Sequence, residues 1–246
     1  MQTMNVIKFI TLKCYRFDMP KTMQLFHGSP NIVGRPSIGL GSRDRDFGPG
    51  FYCTLNPEIA GEWACPLGTS GFVNRYVLET RGLRILDLNR TDATIMHWLS
   101  LLASNRTFRT ESDMGLRALR YLASEFRIDT SRFDVIRGPR GDDSYFSFAS
   151  DFINNTVSFS RLSSAMDLGK EGEQIVILSE KAFSQLHYEG SEPIDPITCF
   201  RRRCERDLRA RTRYLGREER EGIDEYDIMI DDLISERVGA NDPRLQ

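Results

Sequence analysis

The sequence predicts an α+β fold. Short strand-like runs are separated by helices at irregular intervals, without the steady βαβ rhythm of a doubly wound sheet. One run, Gln174-Ile175-Val176-Ile177-Leu178, is the most apolar short stretch of the chain and reads as a central strand. After Phe200 the character changes, with arginine-rich and then acidic helical sequence.

The elements follow in order. Residues 1–22 read as an N-terminal extension. Its apolar run Val6-Ile7-Lys8-Phe9-Ile10-Thr11-Leu12-Lys13 is too short and too charged for a membrane span and lacks a cleavage signal, so it is expected as an extra strand or a loosely attached arm. Gln24-Leu25-Phe26-His27 reads as a strand that stops at Gly28. Residues 29–46 form a long loop of Gly, Pro, Ser and Arg, the kind that more often carries function than idles. A turn, Phe47-Gly48-Pro49-Gly50, leads into the strand Phe51-Tyr52-Cys53-Thr54. A helix bearing Trp63 then opens with Asn56 as cap, Pro57 in its first position and Glu58 beside the positive end of its dipole.

Strands are expected over residues 72–79 and 84–88. Helices are expected over residues 92–104 and after a Ser112 cap, where Leu116, Leu119, Leu122 and Phe126 share one side. Residues 133–136 read as a strand entering the turn Gly138-Pro139-Arg140-Gly141-Asp142-Asp143, and Tyr145-Phe146-Ser147-Phe148 as a further strand. After the central strand, Ser179 caps a short helix and His187-Tyr188 reads as a last strand, closing the domain, taken as residues 23–190. Residues 191–246 read as a charged helical tail: a basic helix over residues 201–221 and an acidic one with Ile223, Tyr226, Ile230, Leu233 and Ile234 in a stripe. Opposite charge could pair the two. The basic one lacks the interleaved aromatics of a nucleic-acid helix, so a solvated appendage is expected.

Composition excludes several classes. A formal net charge of −2 over 246 residues gives no global attraction to nucleic acid or to an anionic membrane. Five cysteines without a CxxC pair, and three scattered histidines, do not make a zinc site, so no metal is expected and the thiols read as free. Nothing reaches transmembrane length, which points to a soluble cytoplasmic protein.

A nucleotide site without a Walker or Rossmann fingerprint needs donors for ribose and phosphate, a flat aromatic surface and commonly a carboxylate. His27 beside Gly28 offers an imidazole and exposed backbone at a strand end. Tyr52 and Trp63, eleven apart across a strand-to-helix corner, could clasp a planar ring, a contact typically worth about 0.5–1.5 kcal/mol beyond area burial. Glu173 stands where a sheet end would hold a carboxylate rigidly. Singly, each has a plainer reading: a turn histidine, core aromatics, a solvent-facing glutamate.

Together they carry a resemblance. Leu25-Phe26-His27-Gly28-Ser29 resembles the first motif of ADP-ribosyltransferases of the diphtheria-toxin and poly(ADP-ribose) polymerase type. Phe47-Gly48-Pro49-Gly50-Phe51-Tyr52 is similar to their second motif, and Glu173-Gln174-Ile175-Val176-Ile177 to the third. The order is the same. Trp98-Leu99, Asn105-Arg106, Val135-Ile136, Gly138-Pro139 and Asp142-Asp143 resemble further signatures of a mainly bacterial branch. The likeness spans residues 23–188 and implies split antiparallel β-sheets with inserted helices, to which the tail adds a C-terminal helical extension.

The resemblance also implies roles. His27 would bond the nicotinamide ribose, and the Gly28 backbone would hold the carboxamide. Tyr52 and Trp63 would take the two faces of the nicotinamide, and Ser29 and Arg43 the adenosine side. Glu173 would bond the ribose 2′-hydroxyl and stabilise the oxocarbenium-like transition state. That fits elementary electrostatics, because positive charge grows on the ribose as the glycosidic bond breaks. Ala60 stands where polymerase relatives place a carboxamide-binding serine. Glu171, two residues before Glu173, imitates the paired glutamates of arginine-modifying toxins and is a secondary candidate. Gln174 is a recurrent feature of the closer branch, so either it or Glu173 faces the ribose; with Gln174, catalysis would rest more on orientation than on charge. Asp142 and Asp143 line the acceptor side or only form a turn.

The expected activity is mono-ADP-ribosyl transfer from NAD, as co-substrate, to a macromolecular acceptor, most naturally a protein. A bacterial toxin held by an antitoxin or another regulatory partner would act in this way. The alternatives are an NAD glycohydrolase, and a catalytically silent module that binds NAD or ADP-ribose. No membrane partner is expected.

Overall fold

The computed structural model describes residues 20–38, 45–89, 94–110, 112–141, 143–167, 172–218 and 227–245. The fold is α+β, with two β-sheets, inserted helices and a helical C-terminal region. The expected N-terminal strand or arm falls before residue 20, outside the described residues.

The first sheet has the order β1-β3-β7, with β1 Thr22–Ser29, β3 Phe72–Glu79 and β7 Leu186–Pro193, all antiparallel. The second has the order β2-β6-β5-β4, with β2 Phe51–Cys53, β4 Ile85–Asp87, β5 Val135–Pro139 and β6 Glu173–Ile177. The apolar run expected to be central is central, flanked on both sides by antiparallel partners. The pair β4–β5 is parallel, which requires a crossover. Helices α2 Ile95–Asn105 and α3 Asp113–Glu125 supply it. Phe26 and Thr54 join the sheets through a single antiparallel bridge, each N–H donating to the other's carbonyl at 2.8 and 2.9 Å.

Strand alternation sorts the core in two. Met23 and Leu25 of β1, Tyr76 and Leu78 of β3, Phe51 and Cys53 of β2, and Ile175 and Ile177 of β6 fill the space between the sheets. The opposite face of the second sheet, with Leu86, Ile136 and Val176, packs against the helices through Trp98, Leu99, Leu102, Leu122, Phe126 and Phe152. Trp98 is core.

Helix α1, Pro57–Ala64, starts as its punctuation predicts: Asn56 accepts the Glu58 N–H at 2.8 Å with Pro57 in the first turn. Ser112 caps α3 in the same way, accepting from the Gly115 N–H at 3.1 Å. The strand expected at Tyr145-Phe146-Ser147-Phe148 is instead part of helix α4, Asp143–Ile153. The aromatic run resembles a strand locally. The buried set Ser144, Tyr145, Phe148, Ala149, Phe152 and Ile153 nevertheless has the helical period, and it faces the larger core. Helices α5 (Phe159–Asp167) and α6 (Glu180–Ser184) follow, the latter capped by Ser179.

The tail is helical but is not a solvated appendage. Helix α7, Pro196–Glu218, packs on α1, α4 and α5, and α8, Ile230–Ser235, on α3. Tyr214 stacks on Phe148 with centroids 3.8 Å apart, and the Tyr121 hydroxyl donates to the Val238 carbonyl at 2.5 Å. Ile230, Leu233, Val238 and Leu245 belong to the larger core. Residues 219–226, with Ile223 and Tyr226 of the expected acidic stripe, lie outside the described residues. Among the described residues, no helix is long and apolar enough to cross a membrane.

Candidate active site

The junction of the two sheets carries the candidate site. β1 brings His27 and Gly28 to it, β2 brings Tyr52, α1 brings Trp63, and β6 brings Glu173 and Gln174.

His27 follows Leu25 by two, so it shares the face that looks between the sheets, where its ring lies 4.4 Å from that of Phe51. Its Nδ1 is 2.7 Å from the Tyr52 carbonyl. A carbonyl only accepts, so Nδ1 carries the proton and a neutral ring presents Nε2 as an acceptor. Burial pulls the imidazole below its usual range, the Tyr52 bond opposes this and the Arg45 charge adds to it. Gly28 faces the other way, against α1. A Cβ there would lie 1.7 Å from the Ala60 carbonyl oxygen and 2.8 Å from the Ala64 nitrogen, so only glycine lets strand and helix touch.

Tyr52 is half-buried and held by its hydroxyl, which donates to the Gly48 carbonyl at 2.6 Å and accepts from the Phe47 N–H at 3.1 Å. The phenylalanine–glycine turn thus fixes the ring, and burial raises its phenol above the ordinary range. Gly48 makes the turn possible with φ +80°, and a Cβ there would meet Asn105 Oδ1 at 2.7 Å. Arg45 and Arg140 place their guanidinium carbons 5.8 Å from the Tyr52 centroid and 5.6 Å from the half-buried Trp63 centroid.

Register decides which residue of β6 joins Tyr52. Tyr52 pairs with Val176, so Gln174, two residues along, shares its face of the sheet, while Glu173 takes the opposite face. There Glu173 accepts from Arg137 Nε at 2.9 Å and Nη2 at 2.8 Å, and from Asn89 Nδ2 at 2.8 Å. Arg137 also approaches Asp87 at 3.8 Å. The third motif's carboxylate is clamped away from Tyr52.

Gln174 is 3% exposed. Its Nε2 donates to Asp46 Oδ2 at 2.9 Å and to the Pro139 carbonyl at 3.2 Å. Both partners are acceptors, which sets the amide's orientation and leaves Oε1 as its acceptor. Asp46 also accepts from the Gly141 N–H at 2.8 Å and from Arg106 Nη1 at 3.1 Å. Burial raises the Asp46 carboxyl, against the bonds from Gln174 and Gly141 and the charge of Arg106. Arg106 donates as well to the Gly141 carbonyl at 2.8 Å and lies 4.1 Å over the Phe146 ring. The Trp98 indole N–H donates to the same Pro139 carbonyl at 3.2 Å. The second motif, the β5 turn and the third motif therefore meet at Asp46.

Ser29 is tied into a second hub. Asn74, fully buried on β3, donates to the His27 carbonyl at 3.2 Å and to Ser29 Oγ at 3.2 Å. It accepts from the Val33 N–H at 2.9 Å and from Ser191 Oγ at 2.7 Å. The loop after β1 is thereby pinned to the first sheet.

The structure places Tyr52 and Gln174 on one face of the second sheet and Glu173 on the other, the face of Phe51 on which the His27 ring packs. His27 reaches Tyr52 through the Tyr52 carbonyl, Gly28 packs on α1, and the Trp63 ring lies under Arg140. Arg43, Glu171 and Asp142 lie outside the described residues; Asp143 opens α4, and its side chain is not among those described. Sequence reasoning missed Asp46, Asn74 and Arg137 as working residues. Only for Arg106 was there a signal, in the Asn105-Arg106 pair. Among the described residues no group of three His, Cys, Asp or Glu side chains could hold a metal ion. Cys53, Cys65, Cys199 and Cys204 are free thiols.

A family model described as a protein of unknown function, DUF3990, matches residues 23–188, and the chain belongs to that family. No curated protein and no solved structure matches the chain.

Proposed function

We propose that this member of the DUF3990 family binds NAD at the Tyr52–Trp63 corner and transfers its ADP-ribosyl group once to a macromolecular acceptor. The observation that carries this reading is the meeting of the motifs at one corner: Tyr52 and Gln174 share a sheet face and are joined through Asp46 and the Phe47–Gly48 turn. Three stretches that resemble those of ADP-ribosyltransferases, far apart in sequence, become one arrangement.

The chemistry divides among the residues. Tyr52, anchored through its hydroxyl, offers a ring of fixed orientation to the nicotinamide, and Trp63 offers the second. Arg45 and Arg140, poised over those rings, complement the charge of the diphosphate. His27 Nε2 and Gln174 Oε1 are the acceptors for ribose hydroxyls. The C1′–N bond breaks with its electron pair passing to the pyridinium nitrogen, so nicotinamide leaves neutral. An acceptor lone pair closes on C1′, and the acceptor's proton passes to solvent. Gln174 is the residue assigned to the ribose, in place of Glu173. A neutral amide backed by a carboxylate that Arg106 already pairs stabilises the growing ribose charge less than a free carboxylate would. A single slow transfer, without chain elongation, follows.

That same pairing favours a second reading, in which the site binds NAD or ADP-ribose without turnover. Incubation with NAD carrying label in its adenylate half separates the two. Transfer of label to a macromolecule together with nicotinamide release supports the leading reading. Release alone assigns a glycohydrolase, binding alone assigns the silent module, and absence of binding removes NAD from the account. In the transferase case, Gln174→Ala lowers turnover by roughly tenfold or more with the NAD dissociation constant nearly unchanged. Tyr52→Ala weakens NAD binding, and Glu173→Gln stays within about twofold of wild type. Loss of turnover in Glu173→Gln alone would return the role to Glu173.

A further inference from the structure

Two thiols meet where helix α7 packs on α1. Cys65 is the buried C-cap of α1, and Cys199 is half-buried in the first turn of α7, where its N–H donates to the Asp195 carbonyl at 3.1 Å. Both lean on Gly61. The Cys65 thiol donates to the Gly61 carbonyl at 3.2 Å, and a Cβ on Gly61 would stand 3.1 Å from Cys199 Sγ, so the glycine leaves the space that the second sulfur takes. The two thiols are also side-chain hydrogen-bond partners of each other. Neighbouring contacts fix the packing of the helices. Arg202 pairs with Glu58 at 3.1 Å, Arg206 pairs with the buried Glu62 at 2.8 Å, and Arg203 donates to the Pro66 carbonyl at 2.9 Å. The other two cysteines among the described residues lie elsewhere, Cys53 in the core between the sheets and Cys204 exposed on α7.

We infer that Cys65 and Cys199 are a thiol–disulfide site, at which a small-molecule disulfide reversibly staples α7 to α1. Burial raises both thiols, Cys65 to about 11, with Glu62 and Asp195 adding to it and Arg203 and Arg202 opposing it. The hydrogen bond between the pair favours the Cys199 thiolate and disfavours that of Cys65, so Cys199, the more accessible, attacks first. Its sulfur bonds to one sulfur of the reagent, and the other leaves as a thiolate that takes up the proton Cys199 gave. Cys65, deprotonated in turn, attacks the Cys199 sulfur and expels the second half of the reagent, which takes up the Cys65 proton. One reagent disulfide is reduced to two thiols as one protein disulfide forms. Ionisation does not favour the reduced pair, as it does in strongly oxidising dithiols, so exchange is slow and the bond once made is retained. It joins residues 23–188, the part matched by the family, to the helix beyond them and closes a loop of about 130 residues. The site is independent of what the Tyr52–Trp63 corner binds.

The test takes the full chain through glutathione redox buffers, with glutathione disulfide as the probe, and reads the products by mass after acid quench and alkylation. Trypsin releases Cys65 within residues 46–75 and Cys199 within residues 182–201. These two peptides are expected joined, with loss of both thiol hydrogens, and fragmentation should place the bond on Cys65 and not on Cys53. Oxidation should raise the thermal midpoint by roughly 5 °C or more, and dithiothreitol should reverse the rise. Cys199→Ser, at a half-buried position, is expected to remove both the link and the shift, whereas Cys204→Ser, at an exposed one, keeps both. A chain that stops at a glutathione adduct on Cys199, links Cys199 to Cys204 or to a second chain, or stays reduced in glutathione disulfide alone overturns the inference. So does a linked chain whose midpoint is unchanged or lower, because the sulfurs would then not meet in the native packing.

Discussion

Gly28 shows how one residue can serve the fold and the site together. Its place in the first motif implies a backbone contact to a carboxamide, yet its neighbour is the Ala60 carbonyl, 1.7 Å from where a Cβ would stand. That obstacle is helix backbone and cannot rotate aside. Overpacking costs typically about 1–3 kcal/mol, and Gly28→Ala is expected at or above the top of that range in urea denaturation. An unchanged midpoint would mean that β1 and α1 separate easily. His27 makes a separate prediction. Its folded-state pKa lies below 6.5, first because burial disfavours the cation. The unfolded chain therefore binds this proton more tightly than the native state does. The stability contribution is complete above pH 6.5 and is lost as pH falls from there toward the folded-state value. His27→Gln should flatten that part of the profile while costing about 1 kcal/mol at pH 8 through the altered bond to Tyr52. Parallel profiles for wild type and variant would place the pH dependence elsewhere.

Between elements, the pair of Asp46 and Arg106 is the strap that holds the Phe47–Gly48 turn, the β5 turn and β6 together. Removing one partner strands a largely buried charge, so Arg106→Leu is expected to cost about 3 kcal/mol or more. Asp46→Asn combined with Arg106→Leu should recover part of that loss, because the stranded charge is gone. Recovery of nothing would show that Arg106 acts through packing on Phe146 alone. This strap was not legible in the sequence, for a physical reason: its bonds join residues 35 to 128 positions apart, and only the closed fold gives them a common neighbour. Helices α1 and α3 were legible because capping is local, and Asn56 and Ser112 announce them. Helix α4 was misread because four consecutive positions, Tyr145-Phe146-Ser147-Phe148, favour a strand, while the deciding contacts at Phe152 and Ile153 come later. Which of Glu173 and Gln174 shares the face of Tyr52 depends on the pairing of Tyr52 with Val176. Adjacent residues of a strand face opposite ways, and sequence alone does not set the register.

Over the whole molecule the tail carries the lesson. Its charge suggested an appendage, because core residues on α7 are few and the arginines between them are many. Ala210, Tyr214, Ile230, Leu233, Val238 and Leu245 are nonetheless buried, and five of them join the core that also holds Trp98 and Phe152. A chain built in this way should unfold as one unit, since stripping the tail uncovers α3, α4 and α5 together. Leu233 on α8 is the sharpest probe, being fully buried and remote from the candidate site in sequence. Leu233→Ala is expected to cost about 2–5 kcal/mol. It should move the unfolding of the whole chain, read by tryptophan fluorescence at Trp63 and Trp98 and by far-ultraviolet circular dichroism, to the same lower urea concentration. Two separate transitions, with the fluorescence midpoint unmoved, would make the tail an autonomous appendage and the shared core a weak association.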